Sequence, residues 1–202
     1  VRLFHWLLVV LVIVSASTGY TGGNAMRWHV WSGCTILALL IFRLLWGFAG
    51  SATARFAHFV RGPRAVLDYT RGMLVRAPSH TVGHNPLGGW MVVMLLASAS
   101  LQAGTGLFSN DDIATEGPLY DIVSKATSDT ITAVHDINAI VFLTLIGLHV
   151  AAIVFYLWYK RENLVRPMFT GWVRIPAQPL PALRFAGALR AAALAAVAAA
   201  AL

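Results

Sequence analysis

Residues 129–159, DTITAVHDINAIVFLTLIGLHVAAIVFYLWY, decide the fold. The stretch is long, mostly apolar, and carries two histidines, His135 and His149, fourteen residues apart. Fourteen residues are almost four helical turns, so both imidazoles leave the same side of a helix, about 21 Å apart along its axis. A bilayer's hydrocarbon core is about 30 Å thick, and that separation suits two sites stacked across it. Two histidines on one metal ion would stand three to five residues apart. Each of these therefore needs its own partner from elsewhere in the chain.

The remaining sequence has the same character. Of 202 residues, 58% are hydrophobic and 11% charged, where a soluble domain carries about 25% charged residues. The chain reads as an integral membrane protein whose spans are helical. Its net charge of +7 does not point to nucleic acid, because the basic residues sit between apolar spans, where they set orientation. Cys34, the one cysteine, lies inside a span; it excludes a disulfide framework and cannot alone hold an iron–sulfur cluster.

Four spans are expected, at about residues 3–20, 28–48, 87–108 and 129–159. Val1 is not a start methionine, so the natural N-terminus is expected to precede this numbering. A secretory signal is the lesser reading of the first span, since His5-Trp6 is unusual there and further spans follow. The segment after span two holds Arg55, Arg61, Arg64, Arg71 and Arg76 against Asp68, and Lys160, Arg161, Arg166 and Arg174 follow span four. Between spans three and four, Asp111, Asp112, Glu116 and Asp121 face Lys125 alone. By the excess of Lys and Arg, the N-terminus and the end of span four lie in the cytoplasm, and the acidic loop lies outside. Pro63 followed by Val66, Leu67, Leu74 and Val75 suggests a helix lying in the inner interface. Residues 175–181 read as a proline-rich linker, and residues 182–202 as an alanine-rich fifth helix, transmembrane or interfacial.

This topology pairs the histidines. His5 opens span one on the inside, level with His149; His29 opens span two on the outside, level with His135. Two imidazoles reaching from different helices towards opposite faces of a flat ligand describe bis-histidine haem iron. No Cys-x-x-Cys-His would attach a haem covalently, so each would be a non-covalent haem b with both axial positions filled. A structural role in bonding across helices explains one intramembrane histidine better than four at matching depths. A proton relay would want carboxylates within the spans, and Asp136, near an interface, is the one candidate. His80 and His84 have a zinc-like spacing, but Gly83 and Pro86 break the helix such a site needs. Arg2, Arg27 and Arg43 are candidates for pairing with haem propionates, and Gly104 and Gly106 for close approach of a haem ring.

These residues resemble a known family. Arg2-Leu3-Phe4-His5-Trp6, Arg27-Trp28-His29, Gly83-His84-Asn85-Pro86-Leu87, then His135 and His149 with Arg161-Glu162 following, are similar to the b-type dihaem cytochrome subunit of membrane-bound nickel–iron hydrogenases and related prokaryotic cytochromes b. The resemblance covers residues 2–174, taken as one dihaem domain with residue 1. It implies an all-α four-helix bundle in the bacterial inner membrane, with two haems b on His5, His29, His135 and His149. It also implies an electron-transfer subunit, rather than a catalyst on its own, working between membrane quinone and a periplasmic redox partner such as a hydrogenase, a dehydrogenase or a cytochrome c. The quinone is expected near His84 and Asn85. The alternative is a self-contained quinol oxidase reducing a small oxidant such as superoxide at the outer haem.

Overall fold

The computed structural model of the chain describes residues 1–76, 83–172 and 185–201. In chain order the helices are α1 (Arg2–Thr21), α2 (Met26–Ala49), the short α3 (Phe56–Phe59) and α4 (Pro63–Arg71), then α5 (Pro86–Gly106), α6 (Lys125–Trp158), the short α7 (Val165–Thr170) and α8 (Ala188–Ala200). Among the described residues there is no strand beyond one isolated bridge, Asn110 to Glu116. Helices α1, α2, α5 and α6 are long and apolar enough to cross a membrane. The fold is the expected all-α membrane bundle. Leu3, Val10 and Ile13 of α1 point outward, and nothing on α1 is buried by the rest of the chain. In a bilayer those side chains face lipid, and the helix satisfies its own backbone polar groups.

The bundle consists of two helical hairpins. Helix α1 runs along α2 and α5 along α6, and the hairpins meet where α2 packs on α5. Neither α1 nor α2 runs close against α6, so the two helices that share histidine levels with α6 are held away from it. Ile36 and Leu40 of α2 meet Leu96 and Ala99 of α5 in the buried core, with Leu8, Leu11 and Phe142 around them. Lipid tails are as apolar as these side chains, so the association rests on close packing and interhelical hydrogen bonds. One such cluster joins α5 to α6: Ser98 Oγ donates to Asn138 Oδ1 (3.0 Å), and Asn138 Nδ2 donates to Ser98 O (2.9 Å) and Gln102 Oε1 (2.7 Å). Interhelical bonds of this kind contribute about 0.6–2 kcal/mol each.

Helix α6 starts four residues before the expected 129. The Ser124 hydroxyl accepts from the Thr127 N–H at 3.2 Å, and Lys125 pairs with Asp129 one turn on. A cap and an i,i+4 ion pair hold a first turn that is too polar to read as part of a span. At 34 residues α6 is about 50 Å long and overshoots the bilayer core.

Asn85 caps α5, its Oδ1 accepting from the Gly88 N–H at 2.7 Å, while its Nδ2 donates to the Tyr156 hydroxyl at 2.9 Å. One side chain therefore ends α5 and ties it to α6. Asn85→Ala is expected to destabilise the protein by about 1–2 kcal/mol, seen as a lower thermal midpoint in detergent. Asn85→Asp keeps the cap acceptor, loses the donor, and should recover part of the loss.

Helix α4 is amphipathic as expected, but it ends at Arg71, where the Gly72 N–H turns back to the Asp68 carbonyl. Leu74 and Val75 therefore lie beyond the helix, and both are exposed. They are fastened to the end of α6 through their backbone: Tyr159 OH donates to Leu74 O and Lys160 Nζ to Val75 O, each at 2.7 Å. Tyr69 of α4 shares a 2.6 Å hydroxyl bond with Tyr156. The alanine-rich helix α8 packs along α2 and is tied to it by Arg190 Nη1 donating to Ala49 O at 3.2 Å. Its 13 residues make about 20 Å, short of a span. The expected linker, residues 175–181, lies outside the described residues, as do residues 182–184 and 202.

Candidate functional site

Two histidine pairs divide the bundle. At the end that carries the acidic loop, His29 in the first turn of α2 faces His135 of α6. Their ring centroids are 6.1 Å apart and their planes 80° apart. A metal–imidazole bond is about 2.0–2.1 Å, so two imidazoles on opposite sides of one metal hold their ring centres roughly 6 Å apart. The observed spacing matches.

The hydrogen bonds determine which ring nitrogen is bare. His29 Nδ1 lies 2.8 Å from the Ser15 carbonyl of α1. A carbonyl only accepts, so Nδ1 carries the proton and Nε2 keeps its lone pair. His135 repeats the arrangement: its Nδ1 lies 3.0 Å from the Gln102 carbonyl of α5, with the Thr105 hydroxyl at 3.1 Å. His135 Nε2 accepts from the Gln102 side-chain amide at 2.9 Å, which is again an acceptor lone pair. Neutral imidazole with Nδ1–H fixed by a carbonyl and a lone pair on Nε2 is the metal-binding form; at His135 that lone pair takes the Gln102 amide, which a bound metal would displace. In each hairpin the neighbouring helix supplies the orienting carbonyl.

A cavity of about 540 Å³ opens beside this pair, within the usual size of a cofactor site. Small residues line it, among them Ala16, Gly19, Gly33, Ala99, Ala103 and Gly106. A Cβ at Gly19 would stand 2.8 Å from His29 Nδ1, and one at Gly106 would stand 3.1 Å from His135 Cε1, so both glycines make room for the imidazoles. A Cβ at Gly33 would meet nothing within 4 Å, and the same holds for Gly104. Among the described residues no three His, Cys, Asp or Glu side chains gather round one point. Two imidazoles are an incomplete ligand set by themselves. A porphyrin supplies four more nitrogens in a plane, so the donors, the glycines and the cavity all fit a haem.

At the opposite, basic end, His5 in the first turn of α1 and His149 of α6 stand within electrostatic range of each other. His5 Nδ1 is enclosed and has no hydrogen-bond partner among the described residues. The ring packs edge-on against Trp6 at 5.1 Å; Trp6 stacks on Phe169 and donates from Nε1 to Met168 O at 3.1 Å. His84 joins this group: it lies 5.0 Å from the Phe59 ring and within range of Arg43 and His149. Its ring is accessible yet walled in by protein. That burial, then the charges of Arg43 and His149, hold its pKa below the ordinary histidine value.

The other expected site residues divide. Arg2 is exposed and donates from Nη1 to Phe169 O at 3.0 Å; Arg27 is exposed and lies over the Trp28 ring at 5.4 Å. Arg43 is 4% exposed, and its Nη1 has no partner among the described residues. Asn85 is committed to its cap and to Tyr156. His80 lies outside the described residues. In the acidic loop, Asp111 Oδ1 accepts the backbone N–H groups of Thr115, Ala114 and Ile113, which with Thr115 foremost push its pKa down to about 2. Asp112 pairs with Lys125 at 2.6 Å. Two of the four loop acids therefore hold the loop itself together.

Reading the sequence did not single out Ser15, Gln102 or Thr105. Gln102 had a signal, as an amide inside an apolar span. Ser15 and Gln102 reach the histidines through backbone carbonyls, which every residue has.

The chain is similar to known proteins. A family model described as prokaryotic cytochrome b561 matches residues 1–171. A "Probable Ni/Fe-hydrogenase B-type cytochrome subunit" of Rhizobium leguminosarum bv. viciae is 26% identical over 206 residues, covering 85% of this chain and 84% of that protein. No solved structure matches the chain.

Proposed function

Because the chain belongs to the prokaryotic cytochrome b561 family, membrane b-type cytochromes of electron transfer, we propose that residues 1–174 form a dihaem unit carrying electrons across the bilayer. His29 and His135 hold one haem b through Nε2, and His5 and His149 hold the other. When bound, each haem supplies an iron that cycles between Fe(III) and Fe(II). An imidazole of the chain on each side of a haem would leave no place for substrate at the metal, so the chain would conduct rather than catalyse. The protein's part is to fix the rings, exclude water and set the two levels about 21 Å apart.

The observation that carries this reading is the 6.1 Å spacing of His29 and His135 with both Nδ1 atoms bonded to carbonyls. The basic end faces the cytoplasm of a bacterial inner membrane, in keeping with the Arg and Lys around it. Membrane quinone exchanges electrons at that end, near His84 and within reach of the His5/His149 level. Asn85 serves there as the anchor that fixes the position of His84. The acidic end meets the redox partner; the Rhizobium relative's name points to a hydrogenase.

Purified protein is expected to show two haems b per chain by reduced-minus-oxidised spectrum and haem assay, and a quinol should reduce both. A preparation without haem absorbance ends the proposal. A single haem per chain removes the basic-end site from it.

A further inference from the structure

Among the described residues Arg43 is a buried cation that no ion pair reaches. It is 4% exposed, deep in α2, and its Nη1 finds no acceptor among the described residues. Its guanidinium lies 5.2 Å from the centre of the Phe56 ring, which attracts a cation weakly but accepts no conventional hydrogen bond. Asp68 pairs with Arg71, and Asp112 and Asp129 pair with Lys125. An ionised group held out of water without a partner is strongly unfavourable, and arginine cannot escape by losing its proton. The site is built for an anion.

The level of Arg43 says which anion. His29 and Arg43 are fourteen residues apart on α2, as His135 and His149 are on α6. With His29 and His135 face to face, the same helical rise sets Arg43 level with His149. His84, within range of both Arg43 and His149, confirms the neighbourhood from a third segment. The other candidate arginines are exposed and already engaged, Arg2 with Phe169 O and Arg27 with Trp28.

We propose that Arg43 is the anchor for a propionate carboxylate of the basic-end haem, fixing how that porphyrin is turned in its site. The inference rests on the dihaem reading above and selects one arginine of the three that the sequence offered. The planar fork of the guanidinium suits a carboxylate, and a charge-assisted bond in a dry site is among the stronger polar contacts. Arg43 is thus a positioning residue: it touches the cofactor's edge and leaves the iron to the histidines.

The test uses the full-length protein with both haems. Arg43→Met should lower the midpoint potential of the His5/His149 haem, since a neutralising positive charge is lost beside it, and leave the other haem's potential unchanged. Arg43→Lys should restore most of the shift. The second arm reloads haem-depleted protein with iron protoporphyrin IX or its dimethyl ester. The wild type should hold the ester on the order of tenfold more weakly at this site, and Arg43→Met should hold both alike. Equal potentials in wild type and Arg43→Met, or an ester penalty that persists without Arg43, overturn the proposal. Restoration by added anionic phospholipid in place of the carboxylate overturns it in favour of a lipid phosphate. If the wild type itself contains no haem, it is the dihaem reading that has failed.

Discussion

His29→Ala and His135→Ala are each expected to leave one haem per chain in place of two, and to remove the same one. The two rings face each other at 6.1 Å across the gap between α2 and α6, and each is aimed by a carbonyl of its hairpin neighbour. Removing either imidazole would take away one of the two side chains that hold the haem and leave its orienting carbonyl with no donor. His5→Ala and His149→Ala should together define the second haem. In all four variants about half of the reduced α-band is lost, and electron transfer from quinol to an acceptor at the acidic end falls to background. The surviving site is then one station on a path of about 21 Å. Redox titration identifies which haem remains, since the two midpoints should differ. If His29→Ala and His135→Ala leave different midpoints behind, the cross-helix pairing is wrong even though the ligands are right. Loss of both haems from one substitution would mean that the bundle needs each haem to fold.

Much of this arrangement could be read from residue order alone, because the signals involved are periodic. Apolar runs of the right length gave α1, α2, α5 and α6 to within a few residues, and the rise per residue set His135 and His149 on two levels. What was hidden depends on tertiary context or on backbone atoms. The first turn of α6 is polar, and it is helical because Ser124 and the Lys125–Asp129 pair hold it. The carbonyls of Ser15 and Gln102 leave no mark in a side-chain pattern, yet they decide the tautomers of His29 and His135. Arg43 read as a propionate candidate alongside Arg2 and Arg27; its burial, with no acceptor for Nη1 among the described residues, separates it from them. Asn85, expected near the quinone, also caps α5 and bonds to Tyr156, roles that its place in the sequence did not announce.

Gly33→Leu should expel the His29/His135 haem while leaving the polypeptide at least as stable as before. Gly33 stands one turn beyond His29 on α2 and lines the cavity, and a Cβ there would touch no protein atom within 4 Å. In the bare chain the new side chain starts in open space at its Cβ, and leucine favours a helix over glycine by somewhat less than the roughly 0.8–1.0 kcal/mol that separates glycine from alanine. Any harm must come from whatever else occupies that space. A porphyrin lying between the two imidazoles would meet the new side chain, and overpacking of about 1–3 kcal/mol weakens its hold by roughly 10–100-fold. Gly19→Ala makes the complementary case, because its Cβ would press on His29 Nδ1 at 2.8 Å and disturb the bond to the Ser15 carbonyl with or without haem. The two variants therefore separate the cavity from the ligand. Haem-free Gly33→Leu should melt no lower than haem-free wild type, haem-free Gly19→Ala should melt lower, and both should lose the acidic-end haem on assay. Full haem content in Gly33→Leu would mean that no flat ligand lies against that face of α2, and the spacing of His29 and His135 would then need another cause.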